Sequence, residues 1–220
     1  MKKLDLRLIR SIKNSKGQFI SITVTIIVAI VIFISFSMVA DKLGNSIDRY
    51  YEVTNFSDIS ARVSKIPAAA IEDLLSIEGI EDVQGRVVAD VPLRVEDPDE
   101  KVTVRLVSVP PEDESINKLY TIEGEDIGDN IYSAAVLQQF FVGRDMRFGE
   151  TITPYIAGKT YPLEVVGEVG SPEYIYLMEN EQELLPDEKG FGVVYVTEEF
   201  AQNTLGFQGS YNDIVIKVSD

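Results

Sequence analysis

Residues 19–40 form a run of 22 uncharged residues rich in Ile, Val and Phe. As a helix this run would be about 33 Å long, at about 1.5 Å per residue. The hydrocarbon core of a bilayer is about 30 Å thick, so the run predicts a transmembrane helix. A cleaved signal peptide is the alternative, but its apolar part is about 7–15 residues long, and bulky Met38 stands where cleavage after Ala40 needs a small side chain. We therefore expect an uncleaved membrane anchor.

The charge on either side of this run differs in sign. Residues 1–18 hold six basic residues and one acid, a net charge of +5, whereas residues 41–220 hold 14 basic and 35 acidic residues, a net charge of −21. Together they give the formal net charge of −16. Because basic flanks stay on the cytoplasmic side, we expect residues 1–18 to be cytoplasmic, residues 19–40 to span the cell membrane, and residues 41–220 to be extracytoplasmic.

Residues 1–18 separate charged from apolar side chains when drawn as a helix. The basic face carries Lys2, Lys3, Arg7, Arg10 and Lys13. A basic amphipathic helix lies in the headgroup layer of a membrane, so these five residues are predicted to contact lipid at the cytoplasmic surface. A disordered basic tail that only sets the topology is the alternative.

Residues 41–220 show the alternation and spacing of an α+β domain in which strands dominate. A helical stalk over 41–51 is expected to continue the span. The patterns predict strands at 56–63, 80–95, 102–109, 143–152, 160–168, 191–196 and 212–218, and helices at 68–77, 134–141 and 198–203. The acidic turn 96–100 predicts that its two neighbouring strands form a hairpin.

The composition excludes several kinds of chemistry. The chain has no His and no Cys, which removes the Ser-His-Asp triad, the thiolate nucleophile and the Cys-based zinc site. The acidic clusters lack the spacing of a calcium-binding loop, and Gly158-Lys159-Thr160 lacks the earlier glycine of a phosphate-binding loop. An anchored glycoside hydrolase with paired carboxylates is disfavoured because no Trp accompanies the acids. Strong acidity argues against nucleic acid. We expect no enzyme activity, no metal site and no cofactor.

One loop combines turn residues with aromatic side chains. Pro172, Tyr174 and Tyr176 follow a predicted strand that ends at Gly170. Tyr is favoured where proteins bind one another, so these three residues are candidates for contact with a partner. A structured loop whose rings cover the edge of a sheet is the alternative.

The order of these features resembles the FtsX-like, MacB-type family of ABC transporter permeases. The likeness lies in four stretches, namely the basic entry segment 10–17, the Gly-Glu-Thr-Ile strand within 142–152, the Val-Val-Gly strand within 161–169, and the Val-Tyr-Val strand within 191–196. The resemblance implies an N-terminal transmembrane helix with a MacB-like extracytoplasmic core of two subdomains. Residues 41–95 and 186–220 would form the membrane-proximal part, and residues 96–185 an inserted β-rich part.

The same resemblance implies a function. The chain would be the N-terminal portion of a permease that couples a cytoplasmic ABC ATPase to movement of the outer domain. That movement would serve mechanotransmission, or the export or extraction of a peptide, lipid or lipoprotein. It implies a homodimer or a pair of permeases, an extracellular peptide, lipid or protein partner, and further spans after residue 220. A bitopic sensor or adaptor that binds an extracellular ligand or regulates a cell-wall hydrolase is the alternative.

Overall fold

The structure, a computed structural model, describes residues 13, 15–110, 115–128, 130–178 and 186–219. The chain divides into two compact units, Met1–Arg49 and Tyr50–Asp220. The helices are α1 Lys16–Val53, α2 Ala68–Leu75, α3 Gln138–Gly143 and α4 Glu198–Leu205. The strands are β1 Ile59–Pro67, β2 Ile80–Arg86, β3 Val88–Leu93, β4 Val102–Val109, β5 Tyr120–Gly124, β6 Ser133–Leu137, β7 Thr151–Ile152, β8 Tyr155–Ile156, β9 Lys159–Thr160, β10 Leu163–Gly170, β11 Phe191–Thr197 and β12 Ser210–Val218.

Helix α1 contains the uncharged run and the predicted stalk in 38 residues. Among the described helices it is the one that is long and apolar enough to cross a membrane, with a mean hydropathy of 2.8 in its most apolar window. Large apolar side chains along it, such as Phe33 and Phe36, are exposed. This exposure suits a lipid environment, because a helix that is apolar all round is stable only when buried in protein or membrane.

The smaller sheet has three antiparallel strands in the order β1-β12-β2. Ile71 of helix α2 packs against Val83 and Ile214 on one face of this sheet. Helix α2 begins directly after Pro67, whose fixed φ suits the start of a helix. The predicted helix at 68–77 is therefore confirmed.

The larger sheet has the strand order β3-β4-β11-β6-β10-β5, and β7 pairs with the start of β10, at Leu163 and Glu164. Strands β4 and β11 are parallel, as are β6 and β10, whereas the other pairs are antiparallel. Central strands β4, β6 and β11 are buried along nearly their whole length, so they carry continuous apolar runs rather than alternating ones. The predicted hairpin between β3 and β4 is confirmed.

Two secondary-structure predictions are wrong, and a third, the strand at 143–152, is a strand only at Thr151–Ile152. Residues 80–95 form two strands in different sheets rather than one, and the chain changes sheets at Val87, which is fully buried. The predicted helix at 134–141 is a buried strand up to Leu137 and becomes helical only from Gln138. A short buried strand and a buried helix carry the same uninterrupted apolar pattern, which explains the second error.

The fold class is confirmed, because a long apolar N-terminal helix precedes a β-rich α+β domain. Strand pairing passes from the smaller to the larger sheet between β2 and β3, and returns between β11 and β12. The predicted subdomain boundaries stay a prediction, because strand pairing alone does not define separately folding parts. They assign residues 41–95 and 186–220 to a membrane-proximal part and residues 96–185 to an inserted part.

Candidate functional site: the helix junction and the Arg86 cluster

Helix α1 ends in a turn that is tied to itself and buried. The Thr54 N–H donates to the Tyr50 carbonyl oxygen at 3.0 Å, and the Thr54 hydroxyl donates to the same oxygen at 2.7 Å. Thr54 is buried, and Asn55 takes a left-handed φ of 48°, which stops the helix. Because the helix stops here, the carbonyl oxygens of Thr54 and Asn55 have no partner within the helix and can accept hydrogen bonds from the rest of the outer domain.

The first set of these bonds goes to the loop before β5 in the larger sheet. The Lys118 N–H donates to the Thr54 carbonyl oxygen at 2.7 Å, and the Asn117 N–H donates to that of Asn55 at 3.0 Å. The Asn117 side-chain oxygen in turn accepts from the Ser57 N–H at 2.7 Å. Asn117 is buried and has a φ of 57°, so its backbone is held in a conformation that few residues tolerate.

The second set goes to β12 in the smaller sheet. The Lys217 ammonium donates to the Phe56 carbonyl oxygen at 2.9 Å and pairs with the Asp58 carboxylate at 3.3 Å. The Val218 N–H donates to that carboxylate at 2.9 Å. This backbone hydrogen bond, followed by the contact with Lys217, lowers the pKa of Asp58 although partial burial opposes it. We call residues 54–58 with 116–118 and 217–218 the helix junction.

A further contact leads from the helix junction to β2. The Ile116 N–H donates to the Gln84 side-chain oxygen at 2.8 Å. Beside this bond lies a cavity of about 20 Å³, lined among others by Arg86, Ser108 and Tyr195. A space of this size is enough for one water molecule. The junction is therefore linked to the residue at which β2 ends, Arg86.

Arg86 holds two carboxylates from distant parts of the chain. Its Nη1 and Nη2 donate to Glu173 at 2.6 and 2.8 Å, and its Nε and Nη2 donate to Asp213 at 2.9 and 2.6 Å. Burial alone would lower the pKa of Arg86, but the hydrogen bonds and charge of Glu173, and then those of Asp213, raise it above its ordinary value. Arg62 also lies 3.9 Å from Asp213, but its side chain is 60% exposed, so solvent screens this pair.

These three residues, Arg86, Glu173 and Asp213, form what we call the Arg86 cluster. Arg86 and Asp213 belong to the smaller sheet, whereas Glu173 follows β10 of the larger sheet. A buried ion pair is strongly destabilising when one partner is removed, because a charge then stays buried without compensation. The cluster therefore links the two sheets, and removal of one of its charges would leave another buried without a partner.

Glu173 lies in a segment that crosses the larger sheet, residues 171–177, which we call the strap. The next residue, Tyr174, interacts with Arg105 of β4. Arg105 also donates to Asp90 at 2.7 and 2.8 Å and lies 5.1 Å from the centre of the Phe191 ring. Burial raises the pKa of Tyr174, so its hydroxyl stays protonated at neutral pH. The two residues before the tip of the strap are thus each fixed by a buried arginine.

The structure separates the residues predicted to contact a partner. Pro172 is buried, Tyr174 is half-buried and bonded inward, and Tyr176 is exposed. Contact of these residues with a partner stays a prediction. Of the residues predicted to contact lipid, Lys13 is described and exposed, whereas Lys2, Lys3, Arg7 and Arg10 lie outside the described residues.

Sequence reasoning missed the Arg86 cluster and the helix junction. Arg86 is 87 residues from Glu173 and 127 from Asp213 along the chain, so no local pattern connects them. The alternation of β2 places Arg86 and Gln84 on one face, which is the only local signal that the sequence carries.

A wider groove of about 540 Å³ lies at the start of helix α4, where Glu198 and Gln202 face Pro110, Ile127 and Ile131. The Glu198 carboxylate already accepts from the Tyr211 hydroxyl at 2.8 Å and from the Gln202 amide at 2.7 Å. In the described part of the chain, no group of three or more acidic residues is placed to hold a metal ion.

Neither a family model nor a curated protein matches the sequence. Among solved structures, the chain is similar to the extracellular domain of the noncanonic ABC-type transporter YknZ from Gram-positive bacteria, with 16% identity, a TM-score of 0.48, and coverage of 71% of this chain and 74% of that one. It is similar to the periplasmic region of MacB from Actinobacillus actinomycetemcomitans, with 14% identity, a TM-score of 0.46, and coverage of 74% and 67%.

A third similar structure is a domain of a protein described as a permease from Porphyromonas gingivalis, with 14% identity, a TM-score of 0.42, and coverage of 72% and 69%. The three structures belong to the class of protein that the sequence resembles, ABC transporters and permeases. At these identities and TM-scores no residue of this chain takes its role from them.

Proposed function

We propose that the chain is the N-terminal part of an ABC transporter permease that passes the movement of a cytoplasmic ATPase to an extracytoplasmic domain. The observation that carries this proposal is the helix junction. A helix able to cross a membrane ends at residues that are hydrogen bonded to the loop that leads into β5 of the larger sheet, through Asn117 and Lys118, and to β12 of the smaller sheet, through Lys217 and Val218.

The charge distribution supports the direction of this coupling. The net charge of +5 before the uncharged run favours, by the positive-inside rule, an N-terminus in the cytoplasm, where an ATPase has access to ATP. The basic residues Lys2, Lys3, Arg7, Arg10 and Lys13 then lie at the inner membrane surface, next to lipid and to the docked ATPase. The outer domain contributes no catalysis and acts by being moved.

The geometry favours mechanotransmission over a binding role for the described outer residues. The junction bonds residues 54–58 to β12 and to the loop before β5, and the Arg86 cluster links the two sheets, so a displacement of residues 54–58 would move both sheets together. In an assembly of two permease subunits, the ATPase cycle would change the distance between the two outer domains. Export or extraction of a peptide, lipid or lipoprotein would use the same movement.

The proposal is tested by purifying the full-length protein from its native membrane in a mild detergent. We expect an ATP-binding-cassette ATPase to co-purify, and its ATP hydrolysis to change when the permease is reconstituted with it. Purification of the chain without any such ATPase, together with specific binding of an extracellular ligand, would show instead that it is a bitopic sensor or adaptor.

A further inference from the structure

The groove at the start of helix α4, which we call the α4 groove, lies where the chain leaves two neighbouring strands. Strands β4 and β11 are parallel, and their last pair is Val109 with Thr197. The chain leaves β4 towards β5, at the far edge of the larger sheet, and leaves β11 into α4 and then β12 of the smaller sheet. Segments that diverge from neighbouring parallel strands leave a crevice at the carboxyl ends of those strands, which is where open α/β sheets bind ligands.

The α4 groove is large enough for a ligand, and part of its lining is apolar. Its volume of about 540 Å³ falls within the range of about 300–1,000 Å³ that is usual for pockets that bind a drug-sized ligand. Four half-buried apolar residues contribute to the lining, namely Val109, Pro110, Ile127 and Ile131. An aliphatic side chain that enters the groove buries apolar surface against them, which favours binding.

The charge of the α4 groove comes from Glu198 and Glu199. In the part of the chain that the structure describes, no Lys or Arg lines the groove, and neither carboxylate takes part in an ion pair. The amino end of α4 offsets only part of this charge, because the dipole of a helix is equivalent to about half a unit charge at that end. The groove therefore attracts cations and repels anions.

Neutral donors hold the Glu198 carboxylate in place. Its Oε1 accepts from the Tyr211 hydroxyl at 2.8 Å and from the Gln202 amide at 2.7 Å. Burial, followed by the hydrogen bond to Glu198, raises the pKa of Tyr211 to about 12, so the hydroxyl stays protonated and donates. Among the described residues, none donates to the other oxygen, Oε2. A carboxylate that is already oriented loses little conformational freedom when it binds a cation.

We propose that the α4 groove binds a peptide segment that carries a Lys or Arg side chain next to an aliphatic one. The cation contacts Glu198 and Glu199. The aliphatic side chain packs against Ile127 and Ile131. The exposed Asn203 amide, whose side chain forms no hydrogen bond with the described residues, both donates to and accepts from the peptide backbone. This site adds binding to the movement of the outer domain and does not depend on an ATPase.

The first step of the test is a titration of the full-length protein, in micelles of an uncharged detergent, with acetyl-Ile-Lys-Ile-amide. The Ile methyl groups are labelled with carbon-13 for NMR, and the signal of Ile131 is assigned by its loss in Ile131→Val. We expect the Lys peptide to shift this signal in a saturable manner, and to bind about tenfold more tightly than the uncharged acetyl-Ile-Gln-Ile-amide. Equal affinity of the two peptides, or no shift at Ile131, would overturn the proposal.

The second step compares variants that each remove one negative charge. Glu198→Gln is expected to weaken binding of the Lys peptide about tenfold, and Glu199→Gln about threefold, because Glu199 is exposed and solvent screens its charge more. Glu199→Gln also keeps the test valid if Glu198→Gln disturbs the fold. Glu72→Gln, on the exposed side of helix α2, is the matched control and should leave the affinity unchanged. Equal affinity of Glu199→Gln and Glu72→Gln would contradict the proposal.

A free amine separates a peptide site from a site for a small cation. n-Butylammonium has the stem and the charge of a Lys side chain but neither a peptide bond nor a neighbouring aliphatic side chain. We expect it to bind at least about tenfold more weakly than the Lys peptide, and equal affinity would overturn the assignment to a peptide. These titrations contain neither ATP nor an ATPase, so their failure would leave the proposed function standing.

Discussion

Single residues in this protein connect parts of the chain that are far apart in sequence. Arg86 is 7% exposed in its side chain and binds the carboxylates of Glu173 and Asp213. Each guanidinium nitrogen bonds to a carboxylate oxygen at a distance typical of strong charge-assisted hydrogen bonds. Arg86 is therefore a residue whose substitution should weaken the link between the smaller and the larger sheet.

Replacing Arg86 by Met is expected to lower the free energy of unfolding by about 3 kcal/mol, because the buried Asp213 carboxylate loses its main partner. Chemical denaturation of the full-length protein in detergent micelles measures this change. Arg94→Met is the control, since Arg94 is exposed and its loss should change stability by less than about 0.5 kcal/mol. Equal stability of the two variants would show that the Arg86 cluster does not hold the sheets together.

The Asp58 carboxylate makes the helix junction sensitive to acid. Its pKa is lowered in the folded state, so its contribution to stability is present above the ordinary value of 3.8 and is lost as the pH falls through the folded-state pKa. We expect Asp58→Asn to be less stable than the wild type at pH 7, and the difference to narrow at pH 3. Thermal unfolding at the two pH values measures this, with Asp99→Asn in an exposed turn as the control. A difference that is the same at both pH values would contradict it.

At the scale of secondary-structure elements, the sequence predicted what depends on local pattern. Helix α2 follows Pro67, helix α4 is capped by Thr197, and the β3–β4 hairpin joins two apolar strands across an acidic turn. These features are visible because turn residues, caps and alternation act within a few positions. Strand β6 was mistaken for a helix because its five residues are all buried and carry no alternation.

The contacts between elements also explain why the helix junction could not be predicted from the sequence. The helix junction depends on backbone groups of Thr54 and Asn55 that bond to residues 117 and 118, about 60 positions away. Backbone hydrogen bonds leave no signature in side-chain composition. Only the type of residue at 117, an Asn that tolerates a left-handed backbone, marks the contact in the sequence.

Two substitutions at Asn117 separate its backbone role from its side-chain role. Asn117→Gly removes the hydrogen bond to the Ser57 N–H but keeps the positive φ accessible, whereas Asn117→Ala also strains the backbone. We expect Asn117→Gly to lower the free energy of unfolding by about 1 kcal/mol and Asn117→Ala by about 1 kcal/mol more. Denaturation of both full-length variants checks this order. Greater stability of the Ala variant would mean that the loop does not need a left-handed residue.

At the scale of the whole molecule, the proposed coupling requires residues 1–18 and residues 41–220 to lie on opposite sides of the membrane. The chain contains no Cys, so a thiol reagent can label only the single cysteine that is introduced, and the labelling reports the location of that position. We expect Ser64→Cys, exposed on β1, to react with a membrane-impermeant maleimide in intact cells. Lys13→Cys should react only after permeabilisation. Labelling of Lys13→Cys in intact cells would show that the N-terminus lies outside the cell, opposite to the proposed topology.

The central claim is that movement reaches the outer domain through the helix junction. A spin label at Lys101→Cys, exposed beside the β3–β4 hairpin, allows the distance between two copies in the assembly with the ATPase to be measured by electron–electron resonance. We expect the distance distribution to differ between the nucleotide-free and vanadate-trapped states. We also expect this difference to be lost in Asn117→Ala with Lys217→Ala while ATP hydrolysis continues. An unchanged distribution in the wild type, or a change that survives the loss of the Asn117 and Lys217 side-chain contacts of the junction, would contradict the claim.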